Sequence, residues 1–211
     1  MQVTWYGHSF FEIEASNGTN VLVDPFIGDN PMNDVSAGDF DPDIVAITHG
    51  HFDHVADAPE FDATFVCQPE VTGYLGGEGV DEDSLVGFNT GGKYEQDGVA
   101  FRMVQAFHSA GAPGEGDFDV YAGTPAGYII DDGDTKFYHA GDTALFGDMK
   151  TVINDVYSPD AVAVPIGDHF TMGPEDAGTA VDWLGVDAAL PMHYDTFPPI
   201  EQDPADFERE V

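Results

Sequence analysis

The stretch His49-Gly50-His51-Phe52-Asp53-His54 follows directly on the run Asp43–Thr48, which reads Asp-Ile-Val-Ala-Ile-Thr. A short, continuous apolar run of this kind is expected of a strand covered on both faces. Three imidazoles and a carboxylate then crowd into six positions. Neutral imidazole and carboxylate are the usual protein ligands of Zn²⁺ and similar ions. Helical spacing does not bring all four side chains together. A loop at a strand end does, with His49 and His51 turned to one ion and Asp53 and His54 to a neighbouring one. Three of the chain's 8 histidines fall in this stretch, which a merely polar surface loop does not explain.

The rest of the chain suits such a scaffold. Its 211 residues are enough for one domain spanning 1–211 with a sizeable core. Hydrophobic residues make up 42% and aromatics 12%, a composition that argues against disorder. Lys and Arg number 5 against 40 Asp and Glu, a formal net charge of −35. A surface so acidic repels nucleic acid, and we read it as adaptation to high salt. At ~1 M salt the Debye length is about 3 Å and carboxylate repulsion is largely screened, whereas at low salt it strains the fold. The single cysteine, Cys67, permits no intramolecular disulfide and, in Thr-Phe-Val-Cys, reads as a core residue. The N-terminus lacks a basic region followed by an apolar stretch, and nowhere do ~18 apolar residues run together. A cytoplasmic location with no membrane partner is the expectation, and homo-oligomerisation is left open.

Along the chain, strands are predicted at Val3–Tyr6, Phe10–Glu14, Asn20–Val23, Asp43–Thr48, Thr64–Gln68, Val99–Phe107, Gly127–Asp131, Lys136–His139, Asp160–Pro165 and Asp187–Pro191. Asn17-Gly18 between apolar runs signals a hairpin, and Asp131-Asp132-Gly133-Asp134 another turn. Helices are predicted at Pro69–Leu75, Ala144–Val156 and Pro174–Leu184, the last opening on Pro-Glu-Asp as a helix N-terminus should. Strands interleaved with helices imply a layered α/β fold. His49, His108, Asp142, Gly167–His169 and His193 each lie just past a predicted strand, where loops can converge on one sheet edge. Taken alone, His108 and His193 read equally well as solvated loop residues, and Asp142 as a helix N-cap before Ala144.

The stretch His49–His54 matches the His-x-His-x-Asp-His motif of the metallo-β-lactamase superfamily, and the remaining motifs follow in order. His108 in Ala-Phe-His-Ser resembles the third histidine of that family's first metal site. Asp142 in His-Ala-Gly-Asp-Thr resembles its bridging aspartate, and His193 in Pro-Met-His-Tyr-Asp-Thr-Phe-Pro the last histidine of its second site. Trp5-Tyr6-Gly7-His8-Ser9, Asp24-Pro25-Phe26 and Pro165–Gly173 are similar to a small branch of metal-dependent hydrolases resembling the ascorbate-6-phosphate lactonases. Zinc-cysteine β-lactamases carry a Cys where this chain has Asp142, so β-lactam hydrolysis is disfavoured. No counterpart of the RNA-holding arm of tRNA-processing nucleases is evident.

The resemblance implies a four-layer αββα sandwich with two divalent ions at one edge, Zn²⁺ first and Mn²⁺ or Fe²⁺ as alternatives. It implies that His49, His51 and His108 hold one ion, that Asp53, His54 and His193 hold the other, and that Asp142 bridges them. A metal-bridging hydroxide would attack a small ester, lactone or phosphoester, with Asp53 orienting it and His169 serving as proton donor to the leaving group. His169 reads equally as a structural residue. His8 suggests a supporting role behind the ligands. Asp24 either accepts a proton from a ligating imidazole or caps a turn, and His139 is expected to be structural. The rivals are an iron-dependent redox enzyme on the same scaffold and a metal-binding protein without turnover.

Overall fold

In the computed structural model, which describes residues 1–114 and 119–211, strands begin almost at the N-terminus. Gln2–Trp5 (β1), Phe11–Glu14 (β2) and Asn20–Val23 (β3) form an antiparallel meander. Asn17-Gly18 makes the β2–β3 turn with Gly18 at φ +90°, as the hairpin signal requires. Ile44–Ala46 (β4), Thr64–Cys67 (β5) and Leu85–Gly87 (β6) extend this sheet in parallel from β3. A second sheet holds Lys93–Gln96 (β7), Val99–Gln105 (β8), Ala126–Asp131 (β9), Lys136–His139 (β10), Ala161–Pro165 (β11) and Ala188–Met192 (β12). It runs in that order, antiparallel from β7 to β10 and parallel from β10 to β12.

Alternation along the strands sorts side chains to two faces. Val21, Val23, Ile44, Ala46 and Val66 share one core cluster with Phe101, Met103, Tyr128 and Ile130 of the second sheet. The intervening Leu22, Val45, Phe65 and Cys67 pack with Val71 and Leu75 of helix α2 (Pro69–Gly77) in another. A π-helix over Met149–Tyr157 and helix α3 (Pro174–Leu184) cover the second sheet, burying Met149, Ile153, Ala177, Ala180 and Leu184. The layers are therefore αββα, as expected. Tyr128 ties the sheets together: its buried hydroxyl lies 2.9 Å from the Ile47 carbonyl. No helix among the described residues is long and apolar enough to cross a membrane.

Three departures from the sequence reading have physical causes. β6 and β7 were not anticipated, because Leu85-Val-Gly and Lys93-Tyr-Glu-Gln are short and half-exposed and carry little pattern. The helix expected from Ala144 starts only at Met149, because the Ala144 amide bonds the Phe107 carbonyl (3.1 Å) and the Thr143 hydroxyl takes the Phe107 amide (3.0 Å). That stretch therefore fastens the loop carrying His108. The one-turn helix α1 (Phe52–Val55) begins inside the histidine stretch with His51 as N-cap, so Asp53 and His54 reach the site from a helix and not from an extended loop.

Candidate metal centre

The strand ends explain why these side chains meet. β4 leads into His49–His54, β8 into His108, β10 into Asp142 and β12 into His193, all at one edge of the stacked sheets. The backbone there is tightly constrained. A Cβ at Gly50 would sit 2.6 Å from the Ala122 Cβ, so only glycine lets His49 and His51 flank that point. His8, Asp24 and His193 adopt φ values of +54°, +46° and +55°, a left-handed conformation uncommon for such residues and concentrated at functional sites.

The expected ligands converge as two groups with a common member. His49, His51 and His108 offer atoms within 4.8 Å of one another, as do Asp53, His54 and His193 together with His8. The Asp142 carboxylate lies among both. Its Oδ2 is 2.8 Å from His193 Nε2, 3.5 Å from His54 Nε2, 3.5 Å from His108 Nε2 and 4.0 Å from His49 Nε2.

Hydrogen bonds behind the cluster set the tautomers. Asp24 accepts from the Thr48 amide (2.7 Å), the Thr48 hydroxyl (2.6 Å) and His54 Nδ1 (2.8 Å). Since the Thr48 hydroxyl donates to Asp24, it must accept from His49 Nδ1, 3.0 Å away. One carboxylate thus places the protons of both His49 and His54 on Nδ1 and turns their Nε2 lone pairs inward, the usual arrangement behind metal-ligating histidines. His8 does the same for Asp53: its Nε2 donates to Asp53 Oδ2 at 2.9 Å, while the Thr196 hydroxyl lies 2.7 Å from Nδ1. Both nitrogens are engaged, so His8 supports the cluster.

Charge state fits metal binding. Burial holds His8 at a pKa of about 4 and His49 well below its ordinary value, and it also lowers His51 and His108. These rings are neutral, and those of His49, His51 and His108 can donate lone pairs to an ion. Burial pushes the Asp142 carboxyl up, but His193 and His54 outweigh it and keep Asp142 ionised. Burial likewise opposes ionisation of Asp53, which His54 and the His8 bond overcome. His54 alone is raised: burial lowers it, and Asp142, Asp24 and Asp53 prevail. A cation among those carboxylates neutralises the same field and replaces that proton. His54 Nε2, His193 Nδ1 and Asp142 Oδ1 are buried without hydrogen-bond partners, each costing about 1–3 kcal/mol if left unsatisfied. For His54 Nε2 and Asp142 Oδ1, this is what a site built for cations requires.

Other histidines fall outside the cluster. His139 is buried, its Nε2 donating to the Ser9 carbonyl at 3.0 Å and its Nδ1 accepting from the Gly141 amide at 3.2 Å, a structural role as expected. His169 is exposed and packs edge-on against Phe170, centroids 4.5 Å apart. Among the described residues its ring makes no polar contact with the cluster. Cys67 is fully buried and burial raises its thiol pKa, so it packs as core. The cluster opens into a cleft of about 500 Å³ walled by His51, Asp53, Phe52, Phe170 and Phe197. Thr196, Phe170 and Phe197 lie in stretches singled out for their resemblance, but no role was expected of them, since nothing in their neighbourhood marks a long-range contact.

A family model described as Beta-lactamase superfamily domain matches residues 19–194. The chain belongs to the metallo-β-lactamase superfamily. Within it, the chain is 51% identical to a UPF0173 metal-dependent hydrolase of Halobacterium salinarum, over 100% of this chain and 90% of the relative. It is 45% identical to one from Methanopyrus kandleri, over 100% and 91%. A solved metallo hydrolase, Igni18 of Ignicoccus hospitalis, superposes with a TM-score of 0.86 at 36% identity, covering 99% of this chain and 89% of that one. The chain is accordingly a metal-dependent hydrolase of this superfamily.

Proposed function

We propose that this hydrolase works with two divalent ions on a small ester, lactone or phosphoester. The observation carrying this reading is the position of Asp142 Oδ2 between the two histidine groups, within 4.0 Å of Nε2 atoms from His49, His54, His108 and His193. His49, His51 and His108 would hold one ion, Asp53, His54 and His193 the other, with Asp142 shared. An anionic bridge offsets part of the repulsion between neighbouring cations. Zn²⁺ suits this donor set, and imidazole–carboxylate sites also accept Mn²⁺ or Fe²⁺ according to supply. When bound, divalent ions supply Lewis acidity and lower the pKa of water toward neutrality.

The chain's own residues do the rest. Asp53 is kept ionised, lines the cleft and is held by His8, which suits it to orient a water. The buried His8, Asp24 and Thr48 hold the ligands in place. His169 would serve the leaving group from the rim, once its ring leaves Phe170. The working medium we propose is a cytoplasm at molar salt, and the partner a small molecule, because a chain of net charge −35 lacks the cations that dominate binding to polynucleotides.

The test is a panel of chromogenic esters, lactones and bis(4-nitrophenyl) phosphate, with an RNA oligomer alongside, in molar KCl with Zn²⁺ or Mn²⁺. His51→Ala controls for contaminants. Metal-dependent hydrolysis of a small substrate, lost in that variant, supports the reading. Tight metal without turnover, or iron with oxygen uptake, refutes it, and efficient RNA cleavage refutes the small-molecule assignment. An unchanged kcat in His169→Ala removes that residue from the mechanism.

A further inference from the structure

The cleft wall and the positions of the cations say more about the substrate. All five Lys and Arg residues lie among the described residues, and none lines the cleft. Lys93, Arg102 and Lys136 share a groove with Tyr157 on the second sheet, Arg209 pairs with Asp206, and Lys150 is exposed on the π-helix. Beyond the metal cluster, the cleft is walled by Phe52, Phe170, Phe197 and Pro199, with the Ser109 hydroxyl as the one neutral polar side chain and the Asp119 carboxylate as the charged one. Phe52 and Phe170 are 46% and 53% exposed, a cost that an apolar ligand relieves. Phe52 is held in place: its ring lies 6.0 Å from those of both Phe26 and Phe197, and Phe26 is buried.

Anionic groups on a substrate are ordinarily met by Arg, Lys or the N-terminus of a helix. Here α1, the helix entering the site, has only four residues and begins at a histidine of the cluster. An anion elsewhere on the substrate would meet aromatic carbon, the Asp119 carboxylate and, as the one donor beyond the cluster, the neutral hydroxyl of Ser109. We infer that the substrate is an uncharged ester or lactone whose non-reacting portion is apolar, and that the cleft discriminates against a phosphate or carboxylate on that portion. This rests on the hydrolase reading above and narrows it, setting phosphomonoesters aside.

Ethyl esters test it, since the small ethyl group leaves the acyl chain as the only variable. Ethyl acetate, ethyl hexanoate and monoethyl adipate are followed by pH-stat in molar KCl with saturating metal, each corrected for its alkaline rate. The hexanoate and adipate chains have equal length and differ in one terminal carboxylate. Each buried methylene is worth about fourfold, so kcat/KM for hexanoate should exceed that for acetate by ~10-fold or more, and adipate should fall ~10-fold below hexanoate. In Phe170→Ala the hexanoate-to-acetate ratio should drop ~5-fold, with metal content confirming that the variant is folded. Equal values across the three esters, or faster turnover of 4-nitrophenyl phosphate than of ethyl hexanoate, overturns this inference and leaves the hydrolase reading standing. Absence of metal-dependent turnover on every ester, lactone and phosphoester of the panel overturns the reading beneath it.

Discussion

His54 turns its Nδ1 onto Asp24, 2.8 Å away across thirty positions of sequence, and the same carboxylate reaches His49 through the Thr48 hydroxyl. Asp24 therefore governs one ligand in each histidine group. Asn at this position keeps the shape but loses one acceptor and the charge. Asp24→Asn should weaken metal affinity by about 10–100-fold, the usual effect of losing such a partner, measured by competition with a chromophoric chelator. Unchanged affinity would show that the tautomers are set otherwise.

Metal stoichiometry follows from the shared carboxylate. Protein purified without chelator should carry close to two equivalents of transition metal by elemental analysis. Because Asp142 Oδ2 lies near histidines of both groups, Asp142→Ala should lower occupancy of both positions, whereas His108→Ala should chiefly affect one. A wild-type protein saturated at one equivalent would sink the dinuclear assignment.

Acid should unfold the metal-free protein well before its carboxylates titrate. His8 has a folded pKa of about 4 against ~6.5 in the unfolded chain. Between those values the unfolded state binds a proton that the folded state refuses, so stability falls as pH falls, by about 3 kcal/mol for this residue. His49, His51, His108 and His139 are lowered as well and act in the same direction. His54 is raised and contributes stability that is lost as pH rises through its folded pKa. Between pH 7 and 5 the unfolded chain takes up this proton at ~6.5 while the folded state already holds it, so His54 gains a little stability as pH falls and offsets only part of the loss from the lowered histidines. The melting temperature in EDTA and constant molar KCl should therefore drop from pH 7 to pH 5, and less steeply in His8→Gln. A flat or rising profile contradicts this account.

Salt should act in the opposite sense to its usual effect on ion pairs. Among the described residues only Lys93–Glu95 and Arg209–Asp206 pair a Lys or Arg with a carboxylate, so screening removes few attractions and much repulsion from a chain of net charge −35. Thermal melting of metal-saturated protein should rise clearly from low to molar KCl. The metal must stay saturating, because a ligand that binds only the folded state adds its own stabilisation. A melting temperature that is flat or falls with KCl would refute adaptation to high salt.

The ligands were legible in sequence because each lies just after a strand, and its residue type already carries its chemistry. His49, His51, Asp53 and His54 are local to one another, and the strand signals at β4, β8, β10 and β12 placed the other loops at comparable ends. The shape of the approach was less legible. One turn of α1 delivers Asp53 and His54, and Ala144 spends its amide on Phe107 instead of starting a helix. Both outcomes depend on neighbours outside the local pattern.

The sequence alone determined the layered α/β class, the metal-ligand chemistry and an acidic surface, since periodicity, donor type and net charge are properties of the chain itself. The tertiary structure alone decided that His8 binds Asp53 and Thr196, that Asp24 orients two histidines, and that Phe52, Phe170 and Phe197 wall a cleft lined by no Lys or Arg. These residues are separated by as many as 188 positions. Nothing in their local composition marks the pairing, because their contacts exist only once the two sheets have stacked and brought the strand ends to one edge.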